Sequence, residues 1–109
     1  MIDIVEKQGR KTLELKDAEL VFLGETETGK SQYSGRQWKV LIANIKFSLG
    51  TNMEGKEQTM IVAAKCFDDI CDRISMVAIG TKFHAFVRFD LNTYYKKPST
   101  ECTLVDFTL

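Results

Sequence analysis

The chain has one proline, one histidine, one tryptophan and three cysteines in 109 residues, and fifteen Lys and Arg are matched by fifteen Asp and Glu. Zero net charge removes the global field that draws a protein to nucleic acid or a membrane surface, so any electrostatic role must come from local arrangement. No apolar run approaches the ~20 residues of a membrane span. The opening MIDIVEKQGRK also lacks the basic-then-apolar order of a signal peptide. A cytoplasmic protein is expected. Cys66, Cys71 and Cys102 are odd in number and have neither a disulfide framework nor a C-x-x-C spacing, and His84 alone supplies no fourth metal ligand. Free thiols are expected, with no metal and no cofactor. A single imidazole leaves no Ser-His-Asp set, and no carboxylate pair marks a cleft, so the sequence reads as non-enzymatic.

One motif pulls the other way. Residues 24–31, GETETGKS, fit the phosphate-binding pattern G-x-x-x-x-G-K-[ST] and follow an apolar run, AELVFL, that reads as a strand. Such a loop must run straight into a helix whose first amides complete the phosphate cradle. Here QYSGRQWKVLIANIKF follows, with Gly35 four residues after Ser31 and then a stretch rich in Val, Ile, Trp and Phe. A chain of this length also has little room for several strand-helix-strand units of roughly 30 residues each. The segment reads as a polar hairpin loop between two strands.

With Pro98 the only proline, glycines and polar clusters mark the boundaries. Residues 1–15 read as an N-terminal arm or added edge strand, and residues 16–109 as one domain. Ala18, Leu20 and Phe22 share one face of a first strand. Leu41, Ala43, Ile45 and Phe47 do so in a second over residues 37–48, and Met60, Val62, Ala64 and Cys66 in a third over residues 58–66. The period then changes. Phe67, Ile70, Ile74 and Val77 recur at helical steps, Asp68 and Asp69 suit a first turn, and Gly80 suits the end of a short helix. TKFHAFVRFD and TECTLVDFTL alternate again as two last strands, joined by LNTYYKKPS. Phe22, Phe47, Phe67, Phe83, Phe89 and Phe107 are read as core.

Three strands, a helix and two strands make an all-β domain with one short helix. This is the order of a five-stranded OB-fold, a Greek-key barrel whose helix plugs one end. From residue 16 onward the chain resembles OB-fold single-stranded DNA-binding proteins of the bacterial and phage kind. The likeness rests on the first strand carrying Gly24, the long charged first loop, Trp38 opening the second strand, and the passage AAKCFDDICDRISMVAIGTKFHAFVRFDL. It departs from that pattern in the residues 1–15 ahead of the first strand, in ending at VDFTL without an acidic-aromatic tail, and in a less basic binding face. These departures favour a minimal module of a phage or mobile element. The resemblance implies a sequence-nonspecific, single-stranded DNA-binding protein of DNA replication or recombination in a bacterial or phage-infected cell. It would act as a homo-oligomer, a dimer or tetramer, beside other replication proteins. The alternative is a protein-interaction adaptor of a replication or conjugation complex on the same barrel.

Binding of single strands asks for aromatic rings where bases stack and for Lys or Arg along the phosphates. Residues 30–66 carry Lys30, Arg36, Lys39, Lys46, Lys56 and Lys65 against Glu54 and Glu57, a local excess of four positive charges. Lys30, Arg36, Lys39 and Lys65 are therefore candidates, with Arg88. Trp38 is either a stacking platform or a barrel-end core residue; its parity opposes Leu41. Tyr33, in a polar glycine-flanked loop, has little core to join. Tyr94 and Tyr95 with Lys96 and Lys97 form the loop before the last strand, and one of the tyrosines is expected to pack inward. Phe86 has three open settings: base stacking, packing under the helix, or a subunit interface.

Overall fold

The computed structural model describes residues 2–7, 9–92 and 99–109. The chain order is β1 (Ile2–Lys7), β2 (Arg10–Leu23), β3 (Glu27–Lys30), β4 (Gln37–Thr51), β5 (Glu57–Phe67), α1 (Asp68–Ile74), β6 (Lys82–Asn92) and β7 (Ser99–Thr108). Five strands close a barrel. β2 pairs with β4, β4 with β5, β7 with β6 and β6 with β2, all antiparallel. A parallel pairing of β5 with β7, at Ala64↔Cys102 and Lys65↔Thr103, completes the ring. The architecture is the expected OB-like one, with β1 and β3 as additional strands at the two ends of the sheet.

Alternation decides which side chains fill the barrel. Leu41, Ala43, Ile45 and Phe47 of β4 face inward beside Val62, Ala64 and Cys66 of β5, and Phe83, Ala85 and Val87 of β6 join them. Ala18, Ala43, Ala64 and Ala85 are completely buried. Small side chains there let the walls of a narrow barrel approach while Leu15, Leu20 and Leu104 fill the remaining space. Cys66, Cys71 and Cys102 are buried free thiols. Burial pushes the thiol of Cys66 up to about 12 and that of Cys102 up to about 11, so both stay protonated near neutral pH.

Two irregularities bend β2. Its register shifts between Leu15 and Ala18 against β6, and again between Leu20 and Phe22 against β4. A bulge adds a residue on one strand and reverses the alternation beyond it. Phe22 therefore pairs with the outward Asn44 and lies 57% exposed, whereas its spacing from Leu20 predicts a core position. Phe67 and Phe89 also depart from the core expectation. Phe67 has the parity opposite to Cys66 and points outward, and Phe89 is partly exposed near the end of β6. Phe47, Phe83 and Phe107 are core, the last two meeting edge to face with ring centroids 5.7 Å apart.

Residues 1–15, read as an arm or edge strand, contribute all of β1 and the start of β2, which form an antiparallel hairpin from Ile2↔Leu15 to Lys7↔Arg10. The expected loop after the first strand is partly ordered as β3, paired with β4 from Glu27↔Val40 to Lys30↔Gln37. The GETETGKS motif thus lies on a β-hairpin. Ser31 enters a tight turn, its N–H donating to the Arg36 carbonyl at 2.9 Å, rather than a helix.

The helix α1 closes one end by burying Cys71 and Ile74. It is shorter than the helical pattern in the sequence, which continues into turns around Val77. Asp68 Oδ1 accepts the Lys39 backbone N–H at 3.1 Å, and Asp72 pairs with Lys39 Nζ at 2.7 Å. At the other end Arg73 donates to Asp106 Oδ1 and to the Phe107 carbonyl, both at 2.9 Å, with its guanidinium over the Phe107 ring. Burial pushes the Asp106 carboxyl up, but the hydrogen bonds from Arg73 and the Phe107 N–H, with the Arg73 and Lys7 charges, hold it below its usual range. A carboxyl depressed by folding stabilises the protein above its unfolded value, near 3.9, and that contribution is lost as pH falls through the lower folded value. Asp106→Asn is accordingly expected to melt below wild type at pH 6. The gap should narrow as melts are repeated at successively lower pH and the carboxyl protonates in the folded protein too; a gap that persists undiminished refutes this linkage.

Candidate nucleic-acid interface

Because β4 turns its odd residues from Leu41 to Phe47 into the core, its even residues form an outward face with Val40, Ile42, Asn44 and Lys46. β5 is in register beside it, placing Phe67 opposite Val40, Lys65 opposite Ile42 and Ile61 opposite Lys46. On the other side β3 lies along the start of β4, and the turn before it is drawn close by the Gly24 N–H, which donates to the Ile42 carbonyl at 2.8 Å. A groove of about 440 Å³ results, floored by Val40, Ile42 and Phe67 and edged by Glu25, Glu27 and Lys65.

Trp38 has the same outward parity, lies 39% exposed opposite Gly29 of β3, and lines a separate depression with Thr28, Lys39, Asp68, Asp69 and Asp72. Phe67 is 44% exposed, and Phe22 extends the face across to β2. Three accessible aromatic rings therefore lie on the outer side of the sheet. Trp38 faces outward as its parity against Leu41 requires. Phe67 carries the same signal, since it alternates with Cys66. Phe22 has no such signal, because a register shift in β2 sets its direction.

The charged candidates divide. Lys30, Tyr33, Arg36 and Trp38 gather on the β3–β4 hairpin, where Tyr33 is fully exposed and neither Lys30 nor Arg36 forms an ion pair with a described residue. Lys65 lies in the groove, its Nζ 2.8 Å from Glu101 Oε1. Lys39 has the opposite parity to Trp38 and turns to α1. The hydrogen bond that Lys39 Nζ donates to Asp72 Oδ1, with the Asp72 charge, holds the Lys39 ammonium above its ordinary range. Phe86 and Arg88 lie on β6, which β2 and β7 separate from β4 and β5. Burial leaves Phe86 without the open face that base stacking needs. It is buried beneath Lys7 of β1, whose Nζ is 4.3 Å from the ring centroid. Arg88 is half-buried with its Nε 3.2 Å from Asp90 Oδ2. Tyr94, Tyr95, Lys96 and Lys97 lie outside the described residues.

Among the described residues no group of three His, Cys, Asp or Glu side chains is arranged to hold a metal ion. No described helix is long and apolar enough to cross a membrane. No family model, curated protein or solved structure matches the chain. The functional reading rests on the face itself.

Proposed function

We propose that this protein is a non-catalytic module that binds single-stranded DNA without strong sequence preference, on the outer face of β4 and β5, during replication or recombination. The observation that carries this reading is the set of exposed rings of Phe22, Trp38 and Phe67 on one sheet face. Every base has a face to stack, so aromatic platforms hold single strands whatever their sequence, at about 1–3 kcal/mol per stacked base. Lys46 and Lys65 on the same face, with Lys30 and Arg36 at the hairpin end, supply phosphate contacts. One barrel offers a short site, so copies of the chain would assemble to span a longer strand and gain by effective concentration. The setting would be the cytoplasm of a bacterial or phage-infected cell.

The direct test is a titration of Trp38 fluorescence with oligothymidylate at two salt concentrations, with duplex of equal length as control. Quenching by single strands that weakens with salt and is absent with duplex is expected. A flat signal together with a blank mobility shift refutes the proposal.

Glu25 and Glu27 at the groove edge favour a second reading, an adaptor that docks a basic segment of a replication or conjugation protein. The two readings predict opposite signs. For a DNA site, Glu25→Gln with Glu27→Gln removes repulsion and should tighten oligothymidylate binding about threefold at low salt. Weaker binding after the same changes would contradict the DNA reading, whereas loss of a basic partner would support the adaptor.

A further inference from the structure

Gly9, Gly35, Gly50, Gly55 and Gly80 adopt positive φ, a conformation that favours glycine, but Gly29 does not. It lies within the extended strand β3, where the backbone places no demand for glycine. What excludes a larger residue is the tryptophan opposite. A Cβ at position 29 would overlap Cζ2, Cε2 and Cη2 of Trp38, the last at 2.8 Å. All three atoms belong to the six-membered ring of the indole, which therefore lies directly against the bare Cα of Gly29.

We propose that Gly29 is a positioning residue, the seat on which the Trp38 indole rests and which sets the attitude of that ring toward a bound base. Glycine inside a strand ordinarily weakens it, having no side chain to pack, and an aromatic residue on the neighbouring strand restores the lost contact by covering it. Here the exchange is mutual. The indole covers the gap in β3, and β3 supports the indole, which stays 39% exposed. A ring held in one orientation loses less freedom when a base stacks on it, so a seated platform binds more tightly than a free one. This also gives the second glycine of GETETGKS a cause unrelated to phosphate: it leaves room for the ring.

The proposal rests on the reading of Trp38 as a base platform, so its test includes measurements that need no nucleic acid. Gly29→Ala, Trp38→Leu and the double variant are made in the whole chain. In the free protein, Gly29→Ala is expected to lower the melting temperature and increase acrylamide quenching of Trp38. The same change made on Trp38→Leu should cost little further, because the overlap is gone. An equal cost in both backgrounds, or unchanged quenching, overturns the seat. With labelled oligothymidylate, Gly29→Ala should bind about tenfold more weakly than wild type, within the contribution of one stacked base. The double variant should bind no more weakly than Trp38→Leu. Wild-type affinity in Gly29→Ala overturns the positioning role. A wild-type protein that binds no oligothymidylate overturns the DNA reading and the positioning role together, while melting and quenching still decide the seat.

Discussion

Trp38→Ala should bind oligothymidylate about 1–3 kcal/mol more weakly than wild type, roughly 5- to 150-fold, and remain folded. The indole lies outside the buried cluster, so its removal opens no cavity in the barrel. What is lost is one face on which a base stacks, together with the cover over Gly29 at the edge of the sheet. The loss should be largely independent of salt, since stacking displaces no counterions, whereas Lys30→Ala or Lys65→Ala would lower the salt dependence of binding. Trp38 is the sole tryptophan, so its removal also removes the intrinsic signal. Affinity is then read by anisotropy of a labelled oligonucleotide, with thermal melts as control for the fold. Unchanged affinity in a normally melting variant sinks the stacking role.

Leu20→Ala is expected to behave in the opposite manner, destabilising the fold by about 2–5 kcal/mol while sparing the affinity of whatever fraction remains folded. Leu20 is 0% exposed and pairs across the barrel seam with Ile45, also 0% exposed. Its backbone is held on the other side as well. The Leu20 N–H donates to the Thr81 carbonyl at 3.0 Å, and its carbonyl accepts the Gly80 N–H at 2.7 Å. A backbone held on both sides cannot collapse to fill the cavity, which places the cost toward the upper part of the range. For a domain of this size the melting temperature should fall by more than about 10 °C. A fall of only a degree or two would show that the seam between β2 and β4 relaxes around the missing side chain. Together the two variants separate the face that binds from the core that holds it: one changes affinity with only a small change in the melt, the other the melt without the affinity.

Much of the fold was legible because it depends on local periodicity. The alternation of Leu41, Ala43, Ile45 and Phe47 fixes which side of β4 is buried, and the same rule turns Trp38 outward. The change of period after Phe67 marks α1, and the strand-rich sequence after Ser31 excludes the helix that a phosphate loop needs. The aromatic face was less legible. Phe67 obeys the alternation and was readable from it, but a phenylalanine invites a core assignment on composition alone. Phe22 could not be read, because a register shift against a strand more than twenty residues later reverses its direction.

The sequence by itself determined the order and type of the five barrel strands and the helix, the inward face of each regular strand and the outward position of Trp38, since each follows from steps of two or of three to four residues along the chain. Only the tertiary structure decided the rest. The parallel closure of β5 on β7, the addition of β3 to β4, the burial of Phe86 beneath Lys7 and the seating of Trp38 on Gly29 are all contacts between separate segments. Residues such as Gly29 and Trp38 constrain one another only after the strands that carry them are side by side, and spacing along the chain carries no trace of that distance in space.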